Sequence, residues 1–229
     1  MQRERLTKHD CRRRGSAVLF DLDGTLVDSA PGIVASLAHA FAACGIEPPR
    51  GDWTRFIGPP LPQMLATALP SLALDQREAV IAAYRAHYGA VGLFETVCYP
   101  GILETLAAIA GEGRRIYVVT NKPQQPAEAV ITYLGLDAHV HGIVGGDPTG
   151  RISKPERAAI LAQEEKLTGG IFLGDGLDDL LAAERIGAAF LLAGWGYGTD
   201  RVLKERPDVD VLARPRELLD SLAESYRDG

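Results

Sequence analysis

The sequence predicts an α/β protein built on a doubly wound parallel sheet, with a helical insert after the first strand. Short apolar runs alternate with helical segments, which is typical of parallel sheets. Each run is apolar at consecutive positions, so we expect both faces of each strand to be buried. One long interval has no strand candidate, and its apolar residues follow helical spacing. The predicted strands lie at residues 17–20, 116–119, 143–144, 171–173 and 189–192.

The predicted organisation is a leader, a core and an insert. Residues 1–15 are rich in arginine but lack the apolar stretch of a secretory signal, so we expect a disordered leader. The core is predicted at residues 16–30 and 99–229. Residues 31–98 form the insert, in which apolar residues recur on one helical face. We interpret the insert as a helical cap domain over the core.

Length and composition limit the classes of partner. The 229 residues carry a formal net charge of -6 with dispersed acidic residues, which argues against a broad nucleic-acid surface and against membrane attraction. No stretch approaches the ~20 apolar residues of a membrane span. Three widely spaced cysteines indicate reduced thiols in a cytoplasmic protein. We expect a small soluble partner, and either a monomer or a homodimer.

Several predicted strands run directly into polar side chains. Asp21 and Asp23 follow the first strand, Thr120 and Asn121 follow the second, and Asp175 follows the fourth. Ligands of open α/β sheets bind outside the carboxyl ends of the strands. These residues are therefore expected to converge on one crevice.

The carboxylates of this crevice indicate a metal. Asp21, Asp23, Asp175, Asp178 and Asp179 would repel one another unless a cation were present. Mg²⁺ prefers carboxylates, waters and phosphate oxygens, whereas Zn²⁺ favours imidazole or thiolate ligands, which are missing here. The sequence therefore predicts a Mg²⁺ site.

The same residues suit phosphoryl transfer. Asp21 is the candidate nucleophile, because an aspartate carboxylate can form an acyl phosphate. Asp23 could protonate the leaving oxygen and then activate water. Thr120 and Asn121 could hold phosphate oxygens, and Lys154 supplies a compensating positive charge.

Four segments together resemble the signature motifs of haloacid dehalogenase superfamily phosphatases, in the same order. They are residues 21–26 (DLDGTL), 120–123 (TNKP), 153–155 (SKP) and 174–179 (GDGLDD). The resemblance implies a Rossmann-like core with a helical cap. It makes Asp21 the nucleophile and a metal ligand, and Asp23 the acid/base that binds metal through its backbone carbonyl.

The resemblance also implies that Thr120 and Lys154 bind phosphate and that Asp175 and Asp179 bind metal. Asp178 carries less weight, because relatives often have another polar residue at this position. One departure follows Lys154, since the chain continues with Pro155, Glu156 and Arg157 where many relatives have the pattern KPxP.

Four further segments resemble the phosphoglycolate phosphatase branch of this superfamily. They are residues 28–32 (DSAPG), 58–61 (GPPL), 99–101 (YPG) and 195–198 (WGYG). The resemblance implies Mg²⁺-dependent hydrolysis of a small phosphate monoester through an aspartyl-phosphate, with phosphoglycolate as the leading substrate. Nucleoside monophosphate hydrolysis and sugar-phosphate mutation remain open, because the cap selects the substrate.

A phospho-receiver signalling domain is the non-enzymatic alternative, although the order of the motifs disfavours it. Three smaller expectations concern other residues. Arg55 could reach an anionic substrate from the insert but is more simply a surface residue. His139 and His141 form an HxH pair that could bind metal, but a solvated loop or a strand-edge position is expected for them. The glycines at 194–198 are expected to form a mobile turn near the site.

Overall fold

The computed structural model describes residues 17–48, 50–147 and 151–224. The predicted leader at residues 1–15 lies outside this part of the chain. The strands are β1 (Ala17–Phe20), β2 (Val27–Asp28), β3 (Val97–Cys98), β4 (Ile116–Pro123), β5 (Gly142–Gly146), β6 (Gly170–Gly174), β7 (Ala189–Ala193) and β8 (Asp210–Leu212). Six of them form a central sheet in the order β5-β4-β1-β6-β7-β8, and every pairing in it is parallel.

Helices cover both faces of this sheet. Ala17 and Leu19 of β1 pack in one apolar cluster with the helices at residues 154–164 and 177–186. Val18 and Phe20 pack in another cluster with the helices at residues 102–111, 124–133 and 217–224. This alternation follows from the two-residue period of a strand, which points successive side chains to opposite faces. The helices are α1 (Ala30–Ala43), α2 (Leu61–Ala68), α3 (Leu74–Ala90), α4 (Ile102–Gly111), α5 (Gln124–Tyr133), α6 (Lys154–Glu164), α7 (Leu177–Ile186), α8 (Thr199–Glu205) and α9 (Glu217–Glu224).

Short 3₁₀ segments complete the elements, at Thr54–Phe56, Gly92–Glu95 and Leu136–Ala138. Within the described ranges, none of the helices is both long and apolar enough to cross a bilayer.

The doubly wound parallel sheet is confirmed, and the five predicted strands are all present. Two features are additional. β8 is a three-residue edge strand whose first two residues are exposed, so its sequence lacks the continuous apolar run of a central strand. β4 extends past residue 119 with a register irregularity against β5, and this extension carries Thr120 and Asn121 to the end of the sheet.

The helical segment between β2 and β3 leaves and rejoins the core at one place. Val27 pairs with Cys98 and Asp28 with Val97 in a two-stranded antiparallel ribbon, which the sequence analysis did not predict. Helices α1, α2 and α3 lie between these two strands. Because the ribbon joins both ends of the segment, the helices can be inserted without interrupting the sheet. The predicted boundaries of the cap domain, at residues 31 and 98, stay a prediction.

Candidate active site

The turn after β1 places Asp21 at the end of a central strand. The backbone N–H of Asp21 donates to the carbonyl of Leu173, and the N–H of Gly24 donates to Val27, each over 2.9 Å. Gly24 has a φ of +86°, and a Cβ there would lie 2.6 Å from Oδ2 of Asp175. Only glycine fits both the conformation and the close approach. The turn therefore brings the first and last motifs together.

Three carboxylates and one ammonium group form the buried centre of the site. Oxygen atoms of Asp21, Asp175 and Asp179 lie within 4.8 Å of one another, and all three residues are buried. Nζ of Lys154 lies 2.6 Å from Oδ1 of Asp21 and also contacts Oδ1 of Asp179. The structure therefore brings Asp21, Asp175, Asp179 and Lys154 together in one cluster.

Burial dominates the electrostatics of this cluster. Loss of solvation raises the pKa of Asp21, and it raises that of Asp175 to about 7, with the charge of Asp21 adding to the effect. The pKa of Asp179 is also raised by burial and by Asp21. Burial alone would lower the pKa of Lys154, but the carboxylates of Asp179 and Asp21 more than offset it and raise it. One ammonium thus faces three carboxylates.

This excess of buried negative charge fits a divalent metal. Oδ1 of Asp21 is buried and, despite the nearby ammonium, receives no hydrogen bond of normal geometry from the described residues. The donor set consists of carboxylate oxygens, which suits Mg²⁺ better than Zn²⁺. Asp21, Asp175 and Asp179 are therefore the residues that would hold the ion.

The carboxylate of Asp23 lies apart from this cluster. Nζ of Lys122 lies 2.8 Å from its Oδ1 and 3.0 Å from its Oδ2, and the hydroxyl of Ser29 donates to Oδ1 over 2.5 Å. Lys122 is buried, and its Nζ also lies 4.7 Å from the ring centre of Tyr88. Lys122 lies in the TNKP motif at residues 120–123, but its motif position alone predicted no role for it. Lys122 lies three residues after Val119, the end of the predicted strand, and this position was the sequence signal that could have placed it at the site.

The end of β4 is held by hydrogen bonds within the protein. The hydroxyl of Thr120 accepts from the N–H of Lys122 over 3.1 Å. Nδ2 of Asn121 donates to Oδ2 of Asp178 over 2.8 Å and to the carbonyl of Gly58 over 3.1 Å. Both amide hydrogens of Asn121 are therefore in use. In this conformation Asn121 orients Asp178 and the loop at Gly58, while Thr120 remains the predicted phosphate ligand on this strand.

Arg157 was missed by sequence reasoning, although it is the departure from the pattern KPxP. Its guanidinium is buried, and Nη1 donates to the carbonyls of Thr120 and Gly145 over 2.6 and 2.7 Å. Nη2 donates to Oδ1 of Asn121 over 2.7 Å. Arg157 therefore joins the helix that carries Lys154 to the ends of β4 and β5.

Glu156, which lies between Pro155 and Arg157, stabilises the start of α6. Oε2 of Glu156 accepts from the backbone N–H of Ser153 over 2.8 Å, and the hydroxyl of Ser153 accepts from the N–H of Glu156 over 3.4 Å. This reciprocal arrangement is a capping box, which stabilises the first turn of a helix. It places Lys154 at the first helical position, where its side chain reaches the acidic cluster.

The expected mobile turn near the site is instead held by hydrogen bonds. Nε1 of Trp195 donates to the carbonyl of Thr25 over 3.0 Å, and the hydroxyl of Tyr197 donates to Oδ1 of Asp28 over 2.6 Å. The N–H of Gly198 donates to Oδ2 of Asp175 over 2.9 Å. The segment at 195–198 thus orients Asp175 and clamps the start of the helical insert.

His141 is exposed and directly precedes β5, which is an edge strand of the sheet. Nδ1 of His141 accepts from the backbone N–H of Ile116 over 3.1 Å. In the described ranges, the acidic cluster is the group of potential ligands that meets the geometry of a metal site.

A cavity of about 590 Å³ lies between the carboxyl ends of the central strands and the helical insert. From the core it is lined by Asp21, Asp23, Thr120, Asn121 and Lys122. From the insert it is lined mainly by apolar residues and prolines, including Ile33, Ile57, Pro59, Leu61, Met64 and Tyr84, together with Arg85.

Arg55 is not among the cavity-lining residues. Its guanidinium carbon lies 4.7 Å from the ring centre of the adjacent Phe56. Arg85 of α3 supplies the insert's cationic side chain at the cavity instead.

A parallel sheet with these strand-end aspartates and this lysine defines a hydrolase of the haloacid dehalogenase class. The chain belongs to the haloacid dehalogenase-like hydrolase family, whose model matches residues 16–187. This confirms the resemblance carried by the four motifs and the prediction of an enzyme.

Similar proteins cover almost the whole chain. A 5'-nucleotidase from Pseudomonas aeruginosa is 34% identical over 221 residues, which cover 93% of this chain and 99% of that protein. A phosphoglycolate phosphatase from Agrobacterium fabrum is 35% identical over 202 residues, covering 84% of this chain and 86% of that protein. The structure of a haloacid dehalogenase-like hydrolase from Streptococcus pneumoniae superposes with a TM-score of 0.80 at 31% identity, over 90% of this chain and 97% of that one.

The contacts of Arg157 predict a stability effect. Replacing Arg157 with Met leaves two buried carbonyl groups and Oδ1 of Asn121 without their donor. We expect the free energy of unfolding, measured by urea denaturation, to fall by about 2–4 kcal/mol. Replacement of Arg201, an exposed residue of α8, with Met is the control and should cost under about 1 kcal/mol. Equal effects of the two changes would contradict the positioning role.

The acidic cluster predicts a pH dependence of the metal-free protein. The pKa of Asp175 is raised to about 7 in the folded state, so its carboxyl group binds a proton more tightly than it does in the unfolded chain. Stability should therefore decline as pH rises from about 5 towards about 7, because unfolding lets the carboxyl group ionise in water. In EDTA we expect the Tm to fall by several degrees across this range.

Two further measurements identify the source of that decline. Asp175→Asn removes one of the three carboxyl groups with a raised pKa and should make the decline shallower. Added Mg²⁺ should raise the Tm of the wild type most at the upper end of the range, because metal and protons compete for the carboxylates. A wild-type Tm in EDTA that increases over the same range would refute the expected electrostatics.

Proposed function

We propose that the protein is a Mg²⁺-dependent phosphatase that hydrolyses a small phosphate monoester through an aspartyl-phosphate on Asp21, with phosphoglycolate as the leading substrate. The position of Asp21 carries this proposal. Its carboxylate is buried against Lys154, and the residue also lines the cavity, so it joins the charged cluster to the space available for substrate. Asp175 and Asp179 lie in the same cluster but do not line that cavity.

In the first step, the Asp21 carboxylate attacks phosphorus and forms a bond to it, while the bond from phosphorus to the alcohol oxygen breaks. Asp23 gives its proton to that departing oxygen. Both aspartates line the cavity, and they are separated by one residue across the turn after β1. Lys154 balances the charge of Asp21 and offers a positive group to the phosphate oxygens.

In the second step, water attacks phosphorus and the bond to Asp21 breaks. Asp23, now ionised, accepts the proton of the water, and phosphate leaves with Asp21 restored as a carboxylate. Lys122 and Ser29 hold the Asp23 carboxylate in place between the two steps. A Mg²⁺ ion bound by Asp21, Asp175 and Asp179 would neutralise phosphate charge at the site.

The helical insert is proposed to select the substrate as a cap, with the core at residues 16–30 and 99–229 performing the chemistry. Phosphoglycolate is the leading substrate candidate because the chain is similar to a phosphoglycolate phosphatase. Nucleoside monophosphates are the second candidate. The cavity of about 590 Å³ has apolar walls and room for a nucleoside, and one relative is a 5'-nucleotidase.

A sugar-phosphate mutase would use the same first step and return the phosphoryl group to a sugar. The phospho-receiver alternative is set aside, because the chain belongs to a family of hydrolases. We also propose that the protein is a soluble monomer or homodimer. The free thiols of Cys44 and Cys98 support the further proposal of a cytoplasmic location.

Conservative replacements test the two aspartates. Asp21→Asn should reduce phosphate release to background, because the amide is not a nucleophile. Asp23→Asn should lower kcat by about 10²- to 10⁴-fold, because the amide cannot exchange the proton. Asp137→Asn, an exposed residue of a 3₁₀ segment, should leave kcat unchanged. A folded Asp21→Asn protein with normal turnover would refute the mechanism.

The substrate is tested by phosphate release from phosphoglycolate, nucleoside monophosphates, sugar phosphates and a chromogenic aryl phosphate. We expect release that depends on Mg²⁺ and stops with EDTA, with the highest kcat/KM for phosphoglycolate. A preference for nucleotides would retain the chemistry and replace the leading substrate. Conversion of a sugar phosphate into its isomer without phosphate release would identify a mutase and contradict the proposed hydrolysis.

A further inference from the structure

The wall of the cavity that faces Asp23 is formed by helix α3. Nζ of Lys122, which pairs with Asp23, lies 4.7 Å from the ring centre of Tyr88, and the rings of Tyr84 and Tyr88 stack with their centres 5.5 Å apart. Since Asp23 is the proposed acid for the departing alcohol, this wall is where the alcohol part of a substrate would lie.

Tyr88 has an unsatisfied polar group on this wall. The residue is only 4% exposed, yet its buried hydroxyl has no hydrogen-bond partner among the described residues. Buried hydroxyl groups are normally paired, because losing their contacts with water is unfavourable. A phenol can donate one hydrogen bond. Tyr88 also lines the cavity, so its unpaired donor lies beside the space that a ligand would enter.

Arg85 lies one helical turn before Tyr88 and also lines the cavity. Residues three apart on a helix share a face. No hydrogen bond or ion pair joins its guanidinium to a described residue, whereas the other cations near the cavity, Lys122 and Lys154, are each paired with aspartate. A Cβ added at Gly89, one turn further along, would meet no atom within 4 Å, so this part of the wall is open.

We propose that Arg85 and Tyr88 form a subsite for a second anionic group, a carboxylate, on the alcohol part of the substrate. The guanidinium provides charge and several donors for the carboxylate oxygens, and the Tyr88 hydroxyl provides one more. The substrate class is then the phosphate esters of small hydroxy acids. This inference rests on the proposed function and extends it from the phosphate to the group that distinguishes one ester from another.

The decisive comparison uses phosphoglycolate and its neutral amide, which has similar size but no second charge. Arg85→Gln should raise KM for phosphoglycolate about 10-fold or more with kcat nearly unchanged, because the lost contact is the same before and during reaction. KM for the amide should change less than about 2-fold. Arg85→Lys should recover part of the loss, because it restores the charge without the planar fork.

Two more variants separate binding from structure. Tyr88→Phe keeps the ring over Lys122 and removes only the hydroxyl, so KM for phosphoglycolate should rise about 3- to 10-fold with an unchanged Tm. Arg55→Gln, at a residue that does not line the cavity, is the matched control and should change neither substrate's KM. Equal changes in KM for the acid and the amide, or no change for either, would overturn the subsite.

Binding measurements distinguish a failure of this subsite from a failure of the proposed function. With Asp21→Asn protein and Mg²⁺, calorimetry should show phosphoglycolate binding that Arg85→Gln weakens about 10-fold or more.

Three other outcomes are distinguishable. If the wild type is inactive but Arg85→Gln still weakens binding in this way, the phosphatase is rejected and the anion subsite is retained. If the wild type is active but Arg85→Gln leaves the preference for phosphoglycolate over its amide unchanged, the phosphatase is retained and the subsite is rejected. Selective Arg85 dependence for inorganic pyrophosphate, but not for phosphoglycolate, would assign the second anion as phosphate and overturn the carboxylate.

Discussion

The contacts of Lys154 with Asp21 and Asp179 are the interaction on which the arrangement of the site depends. Placing several carboxylates at the ends of adjacent buried strands removes them from water and sets like charges close together, which is unfavourable unless cations compensate. Lys154 supplies one positive charge directly between two of the carboxylates. The remaining negative charge opposes stability, and the same excess of charge would be neutralised by a divalent ion at this cluster.

A capping box, a set of arginine hydrogen bonds and a glycine turn bring Lys154 and its partners to these positions. The Ser153–Glu156 capping box begins the helix at Lys154, and Arg157 ties that helix to the ends of two strands. On the opposite side, Gly24 allows the turn after β1 to approach Asp175 closely. None of these residues is proposed to react. They matter because catalytic groups a fraction of an ångström out of place lose much of their effect.

The charged groups and the apolar wall of the cavity come from different parts of the chain. The carboxyl ends of the strands contribute the charged groups of the core. Helices α1, α2 and α3 contribute most of the apolar cavity wall, together with the Arg85 guanidinium and the unpaired Tyr88 hydroxyl. The ribbon of β2 and β3 joins the two parts at one place. The helical insert can therefore differ among relatives while the strand-end residues remain in place, which fits the different names of the 5'-nucleotidase and phosphoglycolate phosphatase relatives.

The amino-acid sequence by itself determined the parallel sheet, the helical insert and the convergence of Asp21, Lys154, Asp175 and Asp179. Buried strands have a distinctive apolar pattern, and the carboxyl ends of parallel strands must meet at one edge. Only the tertiary structure decided that Lys122 pairs with Asp23, that Arg157 and Trp195 hold the surrounding loops, and that Arg85 rather than Arg55 faces the cavity. These contacts join residues far apart in the chain, and no local periodicity or spacing encodes which long side chain reaches which partner.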